Sequence, residues 1–470
     1  MIELFIEEDQ YRRIALKESG QLIECIYEKL NAKVQTGDLF LGVIKKKVKG
    51  LQSIFVDIGA SKNAFLYVHH VNTWQDYKEG QSILVEVVKE EEGTKGAKVT
   101  EKISLGGKYV VLFPGRGFGY SKKMTKERFL TEKGNFTPLE GYRVLFREAS
   151  LFAEKEEILA EIALLEETFQ QVYKKAETGL GPKKLHGQGS NVERILRDYF
   201  SNIQMIYVSH EKIREQLQLD YGLPSLVHGE GRSLFDFYGI EEELLSLLKR
   251  RVPLKDGGNL VLEETEAMVV VDVNSAKHKG NKIEESLALS VNLQAVKEIA
   301  RQLRLRNLSG IVVIDFIDLK KSNEKEILEK AVQEAFAKDP LFGKSYPLTE
   351  LNLLQLTRKK KGPSIYQYLE EPCQCGTLKG KRLHFDYLMK LLKNELLKKV
   401  DQVELLDYHI VIHEAYQGRL REEPETFLRI IGAEDKRIYL EFAKMPMDFM
   451  VEPLVFKNQL EELKKHLVTF

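Results

Sequence analysis

Two short apolar runs, with a helical stripe between them, set the pattern around which the rest of the chain is arranged. The first is Met268-Val269-Val270-Val271-Asp272-Val273, followed by Asn274-Ser275-Ala276. The second is Gly310-Ile311-Val312-Val313-Ile314-Asp315, followed by Phe316-Ile317-Asp318. Continuous β-branched runs of this length predict strands buried on both faces. Between them Leu289, Leu293, Val296, Ala300 and Leu303 recur at alternating steps of four and three, which predicts a helix. Strand, helix, strand is a crossover that leaves the two strands parallel. Asp272 and Asp315 fall at or near their carboxyl ends, where open parallel sheets bind ligands.

Elsewhere the pattern is less concentrated. Residues 1–34 predict three strands, Ile2–Ile6, Arg12–Glu18 and Leu22–Tyr27, too few for a core of their own. Residues 35–102 predict a five-stranded barrel. Its strands are read at 40–44, 53–57, 64–67, 82–88 and 97–102, with Gly37, Gly42, Gly50 and Gly59 at bends. Residues 103–185 hold a Gly-rich loop, Gly115-Arg116-Gly117-Phe118-Gly119, and a long amphipathic helix over 151–176. Four glycines and a proline make 177–190 a linker. Helix is predicted at 191–200, through 244–251 and at 324–337. Residues 381–470 alternate helix and strand as a small α/β domain.

Composition narrows the class. A chain of 470 residues is long enough for about three domains. Lys plus Arg equals Asp plus Glu at 71 each, so any surface for nucleic acid must be a local patch. No apolar run reaches membrane-spanning length, and the start, Met1-Ile2-Glu3-Leu4-Phe5-Ile6-Glu7-Glu8-Asp9, is too acidic for a signal peptide. A soluble, cytoplasmic protein is expected. Three cysteines suit a reducing compartment: Cys25 reads as a small core residue, and Cys373 and Cys375 stand close together.

The chemistry these residues suggest centres on the two aspartates. If their strands are adjacent, their carboxylates lie within reach of one ion, since neighbouring strands are roughly 5 Å apart. Like charges that close need a counter-ion, and magnesium prefers a few carboxylates completed by water and phosphate oxygens. Asn274 is placed to orient Asp272. Such a site suits metal-assisted hydrolysis of a phosphodiester. The competing reading is an ordinary Asp-rich turn or helix start. The cation run from Arg358 to Lys361 reads as a phosphate grip or as a solvated turn. Cys373 and Cys375 read as two free thiols, or as half of a zinc site that two chains would share. Ser209-His210 lacks a third partner at any informative spacing and carries no nucleophile chemistry.

Four segments together favour function. They are Asp272 to Ala276, Ile283-Glu284-Glu285-Ser286, Glu298 to Arg306, and Ile314 to Asp318, and their succession closely resembles the catalytic core of the ribonuclease E/G family. The similarity in order extends over nearly the whole chain. It implies a multidomain α/β fold: an OB-type β-barrel (35–102) inserted in a ribonuclease-H-like subdomain (1–34 with 186–250). A 5′-end sensor-like region (103–185), a deoxyribonuclease-I-like α/β catalytic subdomain (251–365), a cysteine link (366–380) and a small C-terminal α/β domain (381–470) would follow. It implies a magnesium-dependent endoribonuclease acting on single-stranded RNA in processing and decay, including rRNA maturation. It also implies assembly into a homo-oligomer, a dimer or higher. Because the chain ends at Phe470, a shorter, ribonuclease-G-like member is expected.

Carried over by position, Asp272 and Asp315 would hold magnesium and Asn274 would steer them. The role of Asp318 is open. Phe55, Phe65 and Lys95 would contact RNA on the barrel, as would Lys122, Lys123 and Arg358 elsewhere. The backbone of Val111 and the side chain of Arg147 would form a 5′-phosphate pocket. Two departures stand out. The family carries threonine after that arginine, whereas this chain has Glu148, whose charge repels phosphate. Strong dependence on a 5′-monophosphate is therefore not expected. The family's zinc link is Cys-Pro-x-Cys, whereas this chain has the shorter Cys373-Gln374-Cys375. The rival readings are a non-catalytic RNA-binding or assembly protein that retains the fold, and a phosphodiesterase acting on DNA.

Overall fold

Three antiparallel strands open the chain: β1 (Ile2–Glu8), β2 (Tyr11–Glu18) and β3 (Gln21–Lys29). Their inward residues, among them Phe5, Ala15 and Leu22, belong to a core that is completed much later in the chain. The computed structural model describes residues 2–9, 11–30, 33–68, 76–91, 95–121, 124–187, 191–199, 202–221, 224–229, 232–255, 257–275, 285–337, 339–360, 362–375, 380–398, 406–422, 424–454 and 456–468. It divides the chain into two compact units, residues 1–28 with 204–470, and residues 29–203.

The second unit begins with a barrel made of β4 (Leu39–Val48), β5 (Ser53–Asp57), β6 (Ala64–Tyr67), β7 (Ser82–Lys89) and β8 (Lys98–Thr100). The order β4-β5-β6-β8-β7 closes through pairing of β4 with β7, so that only the start of β4, which β5 does not reach, keeps a free edge. A closed five-stranded barrel of this kind is consistent with an OB-type fold. Gly42 allows the closure: a Cβ there would collide with Val56. Ile44, Ile54, Val56, Leu66, Val85 and Val99 fill the interior.

A second sheet follows, of β9 (Leu105–Gly106), β10 (Val110–Pro114), β11 (Gly117–Tyr120) and, after helix α1 (Lys126–Lys133), β12 (Tyr142–Phe146), in the order β11-β12-β10-β9. The long helix α2 (Lys155–Glu177) packs on it through Ile158, Ile162, Phe169 and Val172. The segment predicted as a linker contains β13 (Lys183–His186), which adds to the outside of β4. Glycine content concealed it, because pairing on an existing edge needs only a few residues. The unit ends in α3 (Asn191–Tyr199).

The chain then completes its first sheet. β14 (Ile203–Val208) and, after α4 (Glu211–Tyr221), β15 (Leu226–Val227) give the order β15-β14-β1-β2-β3. Helices α5 (Leu234–Phe237) and α6 (Ile240–Ser246) cover it; α6 stops before the predicted 251, because Arg251–Pro253 forms β16.

Next come β17 (Asn259–Glu264), β18 (Met268–Asn274), α7 (Glu285–Leu305), β19 (Gly310–Asp315), α8 (Ser322–Phe336), β20 (Phe342–Ser345) and β21 (Leu353–Arg358). They form a six-stranded sheet, β16-β17-β18-β19-β21-β20, in which β18 and β19 are parallel and neighbouring. Val269, Val271, Val273, Val312 and Ile314 pack on α7 and α8. The expectation of strands buried on both faces is corrected here. β18 alternates exposed and buried positions along its length, and Ile311 on β19 is 49 % exposed. Both helices lie on one face, so the other is open. The all-valine run hid the alternation, because valine serves on either face.

The remainder comprises α9 (Tyr366–Leu369), β22 (Glu370–Pro372), β23 (Lys381–Leu383), α10 (Phe385–Leu397), β24 (Asp407–His413), α11 (Gln417–Glu422), α12 (Pro424–Ile430), β25 (Arg437–Ala443), β26 (Phe449–Pro453) and α13 (Lys457–Leu463). This tail does not keep a core to itself. Leu388, Leu392, Tyr416 and Ile438 share one with Phe5, Leu22, Leu234 and Phe235. Among the described residues no helix is long and apolar enough to cross a membrane.

Candidate active site

Asp272 ends the stretch of β18 that pairs with β19, and Asp315 ends β19; the two are direct partners in the parallel register. Residues opposite one another in a parallel pair project from the same face, at strand spacing of about 4.8 Å. Both aspartates are exposed on the open face of the sheet. The helix-side residues Val271, Val273 and Ile314 are buried beside them, so the carboxylates are carried on a rigid floor. Asn274, two residues on and on the same face, donates its side-chain amide to Asp272 Oδ2 at 2.6 Å. One carboxylate oxygen is thereby fixed, which turns the other lone pairs outward.

Asn292 was not singled out from the sequence, and it supports this end of the sheet. It is fully buried on α7, donates to the carbonyl of Ile317 at 2.8 Å and accepts the Ile317 amide at 3.1 Å. The loop leaving Asp315 is thus clamped through both backbone groups of one residue. A lone amide beside the apolar stripe of the helix was the available signal. Asp318 lies on that loop, exposed, and accepts from Asn352 Nδ2 at 3.0 Å.

Among the described residues no group of three or more His, Cys, Asp or Glu side chains converges as metal ligands. A pair of in-register carboxylates is a poor cage for calcium or zinc. It does fit magnesium, which keeps much of its water and takes one or two carboxylates together with phosphate oxygens.

The barrel holds a second candidate surface. Phe55 and Phe65 are direct partners across β5 and β6, with ring centroids 6.0 Å apart, edge to face. Both are half-buried and absent from the barrel's core cluster, so they lie on its outer face. The register extends the row at both ends, Lys46 beside Phe55 and Lys98 beside Phe65, and both lysines are exposed. Two rings flanked by two cations suit a single strand, whose bases stack while its phosphates pair. Lys95 is exposed near the start of β8. Lys98 was not singled out from the sequence, because cross-strand register is invisible there. Lys122 and Lys123 lie outside the described residues.

Val111 and Arg147 fall on the neighbouring strands β10 and β12 or directly after them. Val111 pairs with Leu145, and the Arg147 amide donates to the Tyr109 carbonyl at 2.8 Å. Glu148 is exposed at the start of the following 3-10 turn. The preceding loop is built around a carboxylate of its own. Glu161 on α2 accepts the amides of Lys108 at 2.5 Å, Tyr109 at 2.7 Å and Val110 at 2.9 Å.

One expectation requires correction. Arg358 is buried at the end of β21 and does not face solvent. Its guanidinium pairs with buried Asp339 at 2.7 Å and donates to the Leu308 carbonyl at 2.8 Å and to Asn307 Oδ1 at 3.1 Å. A guanidinium buried among internal acceptors is not presented to a phosphate in solvent, so Arg358 is a structural residue. Lys361, in the same run, lies outside the described residues. The sulfurs of Cys373 and Cys375 face each other, with Cα atoms 5.5 Å apart. Ser209 and His210 are absorbed by the backbone of Glu8, whose amide donates to Ser209 Oγ and whose carbonyl meets the His210 ring.

Residues 104–361 match the model of the Ribonuclease E/G family. Ribonuclease G of Haemophilus influenzae is 31 % identical over 405 residues, which cover 77 % of this chain and 80 % of that protein. The chain belongs to the ribonuclease E/G family. Ribonuclease E of a Nostoc species is also 31 % identical, over 73 % of this chain but only 54 % of its own length. Ribonuclease G of Escherichia coli is 29 % identical over 405 residues. The stretch matched by the ribonuclease E/G model contains both aspartates, Asn274, Asn292 and the whole β17-β18-β19-β21 sheet centre. It leaves the barrel outside.

Proposed function

We propose that this protein is a magnesium-dependent endoribonuclease that hydrolyses phosphodiester bonds in single-stranded RNA during RNA processing and decay. As a ribonuclease E/G member the chain is an endoribonuclease, a hydrolase acting on RNA. The finer reading rests on one observation: Asp272 and Asp315 stand in register on one open face, with Asn274 bonded to the first.

Asp272 and Asp315 would hold magnesium, which when bound supplies charge for the phosphoryl oxygens and lowers the pKa of a coordinated water. The chain's own contribution is orientation. Asn274 holds the Asp272 carboxylate in one rotation without adding charge, and Asn292 keeps the Asp315 loop from drifting. The open face admits a single strand, and Phe55 and Phe65, with Lys46, Lys98 and Lys95, form a surface for stacking single-stranded RNA on the barrel. Val111 and Arg147 remain the 5′-end contacts in this reading, with Glu148 weakening any preference for a 5′-monophosphate. We read the β15-β14-β1-β2-β3 sheet as ribonuclease-H-like, the six-stranded sheet as deoxyribonuclease-I-like, and the protein as a homo-oligomer.

The test is cleavage of a labelled single-stranded RNA by the full chain, with magnesium and with chelator. Asp272→Asn and Asp315→Asn should each abolish cleavage and leave RNA binding intact. Undiminished cleavage by either variant, or by wild type in excess chelator, would sink the proposal.

A further inference from the structure

The open face of the six-stranded sheet extends well beyond the aspartates. One step back along β18 and β19 lie Val270 and Val313, in register with Gln355 on β21. A further step back lie Met268 and Ile311, in register with Thr357 and then with Lys344 on the edge strand β20. None of Met268, Val270 and Ile311 is buried. At the edge, Lys344 stands over the ring of Tyr346 at 4.8 Å, and Tyr346 is 44 % exposed. The Tyr346 amide donates to the Gln355 carbonyl at 2.9 Å, which ties the ring to this sheet. Among the described residues Lys344 has no carboxylate partner.

We infer that this face is the bed for the RNA strand adjoining the scissile phosphate, with Tyr346 stacking on a base and Lys344 pairing with a phosphate. The inference rests on the proposed nuclease reading and deepens it by naming where the flanking nucleotides go. Three physical points carry it. No charged side chain stands in the lane between the aspartates and Tyr346, the carboxylate bordering this face, Glu263 beside Val270, is paired with Arg250 at 2.9 Å, and the valine, isoleucine and methionine side chains of the face suit unpaired bases. The lane also ends in a ring and a cation, the two groups that sequence-tolerant single-strand sites combine. Finally, the lane is continuous with Asp272 and Asp315. A second copy of the chain seated on it would cover the carboxylates, whereas a substrate strand must reach them. From strand spacing and rise, Tyr346 and Lys344 lie about 12–16 Å from Asp315, so one short run of nucleotides connects the two.

The experiment uses the full chain and a labelled single-stranded RNA oligonucleotide of mixed sequence. Binding is read by fluorescence anisotropy in the Asp272→Asn background, so that the probe stays whole. Tyr346→Ala should weaken binding about tenfold, and Tyr346→Phe should restore it, since stacking needs the ring and not the hydroxyl. Lys344→Ala should lower the slope of log affinity against log salt by about 0.7, the loss of one phosphate contact. In cleavage by the otherwise wild-type protein, Tyr346→Ala should raise KM while kcat moves less than twofold. Light scattering and thermal melting of each variant accompany the titrations. Binding by Tyr346→Ala equal to its parent, or Tyr346→Phe as weak as Tyr346→Ala, would overturn the inference. So would a change of molecular mass in Tyr346→Ala with RNA affinity unchanged, which would assign the face to a second copy. If the wild type binds but does not cut, the nuclease reading falls, and the anisotropy series still decides this one.

Discussion

At the scale of single residues, the same side-chain type takes opposite roles according to what faces it. Asp272 and Asp315 are exposed, and among the described residues the first is hydrogen-bonded by the side-chain amide of Asn274. Asp339 is buried and bound to Arg358. The first pair is available to a ligand, whereas the second is closed. Breaking a buried ion pair leaves one charge without its partner, at a cost of about 3–5 kcal/mol. Arg358→Ala should therefore lower the urea midpoint strongly, whereas Lys359→Ala, one residue on and exposed, should leave it unchanged. A surface role for Arg358 would predict the reverse order, with RNA affinity lost and stability kept. Asn292→Ala should reduce cleavage by freeing the Ile317 loop, with RNA affinity within a few-fold of wild type.

Between secondary-structure elements, the loop joining β9 to β10 shows how one carboxylate organises a backbone. Glu161 accepts three successive amides from residues 108–110. Gly107 makes room for it, because a Cβ there would collide with the Glu161 carboxylate. Gly107→Ala should thus displace Glu161 and leave part-buried amides unsatisfied, costing about 1–3 kcal/mol. The check is a double-mutant cycle in urea. Glu161→Ala alone should cost a similar amount, and the double variant little more than either. Additive losses would mean that the two residues act separately. The barrel row Lys46, Phe55, Phe65, Lys98 is likewise a property of pairing: four residues from four strands become neighbours only when the register is set.

On the scale of the whole molecule, within the unit formed by both ends of the chain, a buried network ties segments far apart in sequence. Arg13 on β2 pairs with Glu7 at 2.7 Å and with Glu241 at 3.0 Å, and Tyr387 on α10 donates to Glu241 at 2.6 Å. Lys390 also reaches Glu7. Burial pushes the Glu7 carboxyl up, but Arg13 and Lys390 outweigh it and hold it well below the usual carboxylate range. A carboxyl depressed in the folded state stabilises fully above its unfolded pKa, about 4.3, and loses that contribution as pH falls towards the folded value. Stability should therefore drop on acidification below about pH 4.3, and Glu7→Gln should be less stable at pH 7 but flatter over that acid range. Urea midpoints from pH 7 down to 2.5 measure it; parallel curves for both proteins would refute the role given to Glu7. In the same core, burial pushes the Cys25 thiol up to about 12, in keeping with a packing residue.

Local pattern carried a great deal. The crossover at 268–318, the five barrel strands, the long helix and the two aspartates at strand ends all follow from periodicity and residue type, which act over a few neighbouring positions. What needed the folded chain was every relation across strands. Valine runs do not say which face is open, so the bare side of the six-stranded sheet and the Tyr346–Lys344 edge emerged only from helix placement and register. A cation run does not say which member turns inward, and Arg358 was taken inside by Asp339, nineteen residues before it in the chain. Burial is set by the sum of distant contacts, and a sequence lists residues without their neighbours.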